Sequence, residues 1–133
     1  MAASPLKDTL NARKVLEFVM KAHGDLDRIQ ELAEEDPRVV NAIWDMGDGD
    51  WESALDAAAH MGRADIARFL IDSGARLDLL YLCAMLDEVD IVRSILTAFP
   101  QTKDTPGVHG FLLRDFAEQG NATQVLAYLD SLE

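Results

Sequence analysis

Apolar positions along this chain recur at three- and four-residue spacing, in short bursts separated by glycine, aspartate or proline. Val15, Leu16, Val19 and Met20 form one such stripe, which His23-Gly24 ends. Asp25 then opens a second helix through Ile29, Leu32 and Ala33, closed by Asp36-Pro37. Ser4-Pro5 is read as the start of the first helix, with Pro5 at a position where its missing N–H costs nothing. The clearest stretch is SALDAAAHMGRADIARFLIDSG, Ser53 to Gly74. Ser53 with Asp56 three residues on has the form of a capping box. Ala57, Ala58 and Ala59 make a thin-walled helix that a neighbour can approach closely. Gly62 breaks the chain, and Ile66, Phe69 and Leu70 share a face of the next helix, before Gly74 supplies a left-handed stop.

The same plan returns twice. Asp78 caps LLYLCAML; a break at Asp87-Glu88 leads to Val89, Val92, Ile95 and Leu96, and Phe99-Pro100 stops the run. After a loop from Gln101 to His109 with a Pro106-Gly107 turn signal comes GFLLRDFAEQ. A break at Gly120-Asn121 follows, then a helix with Val125, Leu126, Leu129 and Leu132 inward. Setting Gly62, Asp87 and Gly120 in register aligns Leu55, Leu80 and Leu113, and puts one extra residue after Gly120 in the last unit. Helix pairs this short cannot bury an apolar face alone, so they must stack on copies of themselves. Residues 37–52, rich in glycine and aspartate, read as an extended, hairpin-like connection between the first two pairs.

This pattern resembles the ankyrin repeat, a unit of about 33 residues with a β-turn and two antiparallel helices. The family's T-P-L-H-x-A-A-x-x-G-H-x-x-I-V-x-x-L-L stands here as SALDAAAHMGRADIARFLI, followed by Asp72, Gly74 and Ala75 for the usual D-x-G-A. GDLDRIQELAEEDPRVVNA resembles an opening, capping repeat, and the whole is similar to small stand-alone bacterial ankyrin-repeat proteins. The resemblance implies an all-α solenoid of about four helix-pair repeats with one finger-like hairpin. The repeats fall at roughly 10–36, 37–74, 75–100 and 101–133 of a single domain. Three departures stand out. The histidine of T-P-L-H is replaced by Asp56, Tyr81 and Arg114, no finger fits between Gly74 and Asp78, and the last repeat carries the extra residue.

Charge narrows the partners. The chain has 24 acidic and 12 basic residues for a net charge of −12, which disfavours nucleic acid and anionic membranes. From Asp25 to Asp56 there are eleven acidic residues and two basic ones. Such a face either keeps the chain soluble or attracts a basic partner. No apolar run spans a bilayer, and the N-terminus lacks the apolar core of a secretory signal. Cys83 is the single cysteine, so a reducing, cytoplasmic setting is expected.

Candidate chemistry is sparse. Asp45, Asp48, Asp50 and Glu52 fall in one glycine-containing loop, an oxygen-rich set of the kind that holds calcium, without the EF-hand order. Trp44 and Trp51 flank it, either packed on each other across the hairpin or offered as anchors to a partner. Asp56 and His60, four apart, read as an exposed ion pair without a nucleophile beside them. His23 and His109 sit at turns with no partner near in sequence, and Cys83 reads as a small buried hydrophobe. Since the fingers and first helices of ankyrin proteins line the concave face that binds partners, the resemblance implies a module that binds a basic partner protein through its concave face and acidic, Trp-flanked finger, without catalysis or cofactor. Its contact set would be Trp44, Met46, Asp48, Asp50, Trp51, Glu52, Asp56, His60, Tyr81 and Met85. The alternative is a divalent-cation-responsive protein using the acidic finger loop.

Overall fold

The computed structural model describes residues 8–76 and 79–133; the expected roles of Pro5 and Asp78 lie outside them. Among the described residues eight helices run in four pairs: α1 (Ala12–Lys21) with α2 (Leu26–Glu35), α3 (Ala54–His60) with α4 (Ala64–Asp72), α5 (Leu79–Met85) with α6 (Val89–Ala98), and α7 (Leu113–Gln119) with α8 (Thr123–Ser131). Between α2 and α3 a short 3-10 turn, Pro37–Asn41, leads into a hairpin of β1 (Ile43–Asp45) and β2 (Trp51–Ser53). Two further 3-10 turns, Pro100–Asp104 and Val108–Gly110, occupy the connection before α7. The hairpin is therefore confined to the second half of 37–52, because Pro37 and the Val39-Val40 pair turn back onto the core first; both valines are buried.

First helices pack on first helices, α1 on α3, α3 on α5 and α5 on α7, while α6 packs on α8 behind them. Helix α3 also reaches α7 past α5, so the first-helix row is the tighter one. The alanines allow it: Ala54, Ala57, Ala58 and Ala59 are all buried, and their single methyl groups let helix axes approach. One continuous core runs from Phe18 and Ile29 through Ile66 and Leu70 to Phe116 and Leu129.

The caps follow the local chemistry. Ser53 Oγ accepts the Asp56 N–H at 3.0 Å while the Asp56 carboxylate accepts the Ser53 N–H at 3.0 Å, a complete capping box. Helix α1 starts at Asn11, whose side chain accepts from the N–H groups of Arg13 and Lys14. Its buried face holds Val15, Phe18, Val19 and Ala22, whereas Leu16 and Met20 are exposed at 36% and 47%. The expected stripe is thus rotated, because the large Phe18 takes the inward position. At the far end Val125 and Leu129 point inward as expected, but Leu132 lies beyond the last packed turn and is exposed.

The last repeat corrects the alignment. Left-handed turn residues are Gly62, Asp87 and Asn121, and each second helix starts ten positions after its first helix, at Ala64, Val89 and Thr123. The repeat therefore carries no extra residue after Gly120. Leu113 stands where Ala54 stands, and Asp115, not Arg114, is the equivalent of Asp56, its carboxylate accepting the Leu112 N–H at 2.8 Å. Gly120 is needed for a different reason than the break assigned to it. A Cβ there would collide with the Met85 carbonyl, so the glycine marks where repeats three and four touch. Asp87 uses its own turn position to cap across the stack, accepting the Val125 N–H of α8 at 2.9 Å.

Candidate functional site

The hairpin has two faces, and its register decides which residues share one. Ile43 pairs with Ser53, Trp44 with Glu52, and Asp45 with Trp51. Since side chains alternate, Trp44 and Glu52 point one way while Ile43, Asp45 and Trp51 point the other. The two tryptophans therefore stand on opposite faces and do not pack on each other across the hairpin. Trp44 is half-buried, and Trp51 is 56% exposed beside Ile43 at 54%.

The acidic loop does not converge as an oxygen cage. Asp45 Oδ1 accepts the N–H groups of Gly47 at 2.9 Å and Gly49 at 3.1 Å, closing the turn. Asp48 is exposed in the left-handed region. Asp50 accepts the His109 backbone N–H at 2.9 Å and lies 2.6 Å from His109 Nδ1. Glu52 points inward and is completely buried. The calcium-like arrangement of these four carboxylates is replaced by a turn, a clamp and a core residue.

Glu52 is the centre of what the sequence left apart. His60 Nε2 is 3.0 Å from its Oε2, His109 Nε2 is 2.8 Å from the same oxygen, and His23 Nε2 is 3.4 Å from Oε1. Oε1 has no hydrogen-bond partner among the described residues. One donor atom from each of His23, Glu52, His60 and His109 lies within 4.8 Å of every other. His60 forms the middle of the aromatic set, with His23 and His109 each edge-on to it at 4.9 Å and Phe111 stacked on it at 5.6 Å.

Each histidine is delivered by a different element. His23 follows the end of α1, where its Nδ1 lies 3.0 Å from the carbonyls of both Val19 and Met20. A carbonyl only accepts, so Nδ1 carries the proton. His60 is the last residue of α3. His109 is held in the left-handed region at φ 56°, a conformation uncommon outside glycine. Its loop is tied down by the Tyr81 hydroxyl, which donates to the Thr105 carbonyl at 2.6 Å, and by the Asp50 clamp.

The electrostatics follow. Burial works to raise the Glu52 pKa, but the imidazoles of His23 and His60 outweigh it and hold the carboxyl at about 2. The contact with Glu52 raises His23 above its ordinary value, against the opposing effect of burial. Desolvation lowers His109, yet Asp50 and Glu52 together reverse that and leave it raised. Asp50 is lowered by the backbone N–H of His109 and by its ring.

Several expected contact residues do not face a partner. Glu52 and Met85 are 0% and 2% exposed: the first faces the histidines, and the second lies under Gly120. Asp56 is engaged in the capping box, and His60 turns to Glu52 in place of the exposed Asp56–His60 pair. Tyr81 packs on Phe116 at 5.0 Å and holds the loop before α7. Cys83 is buried and free, with its thiol pushed up by burial. His23 and His109 were the residues missed. The only sequence signal was that both sit beside turns of the stack, and nothing in the spacing joins positions so far apart.

A cap, two central helix pairs and a closing pair, built around a hairpin finger, define a helical repeat protein of the ankyrin type. The ankyrin repeat family model matches residues 50–80, from the returning finger strand through α3 and α4 into α5, so that stretch is similar to an ankyrin repeat. Comparison with curated proteins and with solved structures gave no match. Among the described residues no helix is long and apolar enough to cross a membrane.

Proposed function

We propose that this chain is a protein-binding module that docks a basic partner on the outer face of its finger. Ankyrin repeats typically serve as non-catalytic interaction modules, and the reading here concerns which surface does the work. One observation carries it: Ile43 and Trp51, both more than half exposed, stand on one face of the hairpin as diagonal cross-strand neighbours. Large exposed apolar side chains on a rigid hairpin are suited to be anchors, and tryptophan is enriched at binding hot spots. Asp45 on the same face and Asp48 at the tip add negative charge, which speeds encounter with a basic surface and sets its register. Trp44 and Met46, both half-buried, support the finger from the other side. The chain acts in the cytoplasm as a monomer and needs no cofactor for this docking.

The test is capture from a native extract with wild type and a Trp51→Asp variant in parallel, at low and high salt. A partner that is basic, released by salt and lost with Trp51→Asp supports the reading. Equal capture by both proteins would move the docking surface away from the finger.

A further inference from the structure

We infer that His23, Glu52, His60 and His109 form a binding site for one divalent first-row transition ion, of which zinc is the type. In their neutral forms the rings create a problem that a cation solves. His23 Nδ1 carries its proton toward two carbonyls at 3.0 Å, and His109 Nδ1 carries its own toward Asp50 at 2.6 Å. A neutral imidazole has one N–H. The Nε2 atoms of both rings therefore present lone pairs, and both aim at the oxygens of a carboxylate, at 3.4 Å and 2.8 Å. Lone pairs facing a carboxylate at these distances repel unless positive charge lies between them.

Protons are one source of that charge: on the His23 and His109 rings they would match the two carboxylates, Glu52 and Asp50. But they would leave His60 Nε2, 3.0 Å from a Glu52 oxygen, outside the balance. Three imidazolium rings around one buried carboxylate, with Asp50 behind one of them, would leave net positive charge crowded at ring separations of 4.9 Å. A single dication can meet the lone pairs of all three rings and the carboxylate together. Burial gives the second observation: Glu52 is fully buried, and its Oε1 has no hydrogen-bond partner among the described residues. An orphaned carboxylate oxygen in a core is costly, and a metal bond would satisfy it.

The donor set selects the ion. Three imidazole nitrogens and one carboxylate suit zinc and its neighbours, not calcium or magnesium, which take oxygen ligands. Zn–N bonds of about 2.0–2.1 Å set tetrahedral donor separations of about 3.3–3.4 Å. The nitrogen–oxygen distances of 2.8, 3.0 and 3.4 Å and the outer limit of 4.8 Å bracket that value. The partners that orient the rings have the form metal-bound histidines require: a backbone carbonyl for one and a carboxylate for the other. A cleft of about 120 Å³ borders the cluster at His60, lined by Phe111, Phe116, Asp115, Glu118 and Gln119. Four protein donors would complete a tetrahedral shell, so the site is structural in kind. It would tie the end of α1, the finger, the end of α3 and the loop before α7 to one point, adding to the contact that α3 already makes with α7 past α5.

The experiment uses the full chain, stripped with EDTA and freed of chelator, then titrated with Zn²⁺ against a chromophoric competitor and with Co²⁺ by absorption. Expected are one ion per chain, an intense four-coordinate Co²⁺ spectrum and a rise in melting temperature with added zinc. His23→Ala and His109→Ala should each weaken zinc at least about 100-fold, Asp50→Asn by roughly 10- to 100-fold, and Asp45→Asn should leave it unchanged. Should the histidine variants fail to fold, long-range ¹H–¹⁵N spectra of wild-type imidazoles decide. The Nε2 resonances of His23, His60 and His109 must move together on adding zinc, in a 1:1 ratio. No binding by the stripped protein, binding undiminished in a folded His109→Ala, or unmoved Nε2 resonances would overturn the site. The finger's capture of a partner is a separate readout and can survive each of those results.

Discussion

His109 holds its Nε2 2.8 Å from an oxygen of Glu52, although one belongs to the loop before the last helix pair and the other to the finger strand. The contact closes a ring of three imidazoles over a carboxylate that has no access to water. Fixing it takes a backbone in the left-handed region at His109 and a clamp from Asp50, so the loop is ordered around the contact.

Acid and base should both destabilise the chelator-stripped protein. Glu52 has its pKa lowered from 4.5 to about 2, so its stabilisation is complete above pH 4.5 and is lost as pH falls toward 2. That term amounts to at most about 3 kcal/mol. His23 and His109 are raised above 6.5, so theirs is complete below pH 6.5 and fades as pH rises through the folded values. Urea midpoints measured across pH should peak between about 4.5 and 6.5. A flat profile across neutral pH would mean that neither histidine gains a charged partner on folding.

Glu52→Gln keeps the shape and removes the charge. At pH 6 the charged rings of His23 and His109 lose their buried counter-charge, and breaking such a pair costs about 3–5 kcal/mol in a fully buried setting. Because these rings are about a quarter exposed, a loss nearer 2 kcal/mol is expected. Above the raised folded values of the two rings, with both neutral, the difference from wild type should shrink. A penalty that stays constant with pH would make Glu52 a packing residue only.

Gly120→Ala should destabilise by about 1–3 kcal/mol, because a Cβ there meets the Met85 carbonyl in the neighbouring repeat and the two helices must part. Gly24→Ala makes the control: its Cβ would meet only the end of Arg63, at an ordinary 3.4 Å. Thermal melts of the two variants side by side should differ clearly. Equal melts would mean that repeats three and four tolerate separation.

The tryptophans should behave differently. Trp51→Ala removes an exposed side chain and should change stability by about 0.5 kcal/mol or less. Trp44→Ala, on the face shared with Glu52, should cost more, on the order of 1–2 kcal/mol. Iodide should quench Trp51 before Trp44, which single-tryptophan variants can resolve. The reverse order would invert the hairpin faces.

The helix pairs, the capping box at Ser53 and Asp56, the buried alanines of α3 and the finger's position were legible in the sequence. All rest on interactions within a few residues of chain, where spacing and capping chemistry act directly. Two readings failed at close range. Phe18 displaced Leu16 and Met20 from the buried face of α1. The last repeat proved to be in step, with Asn121 rather than Gly120 in the left-handed turn, since either residue can end a helix and only stacking chooses. The acidic finger and its tryptophans were also visible, but not their faces, because strand register turns every side chain by half a turn.

By itself the sequence determined an acidic stack of short helix pairs with one finger, since periodicity and capping are local properties. Only the tertiary structure decided that Glu52 points inward and meets His23, His60 and His109. His23 and His109 lie far from Glu52 in the chain, and no spacing rule connects the strand residue Glu52 to the helix-end residue His60 eight positions on. They meet because the packing of α1 on α3 and of α3 on α7, with the finger's register, brings the ends of separate elements to one point.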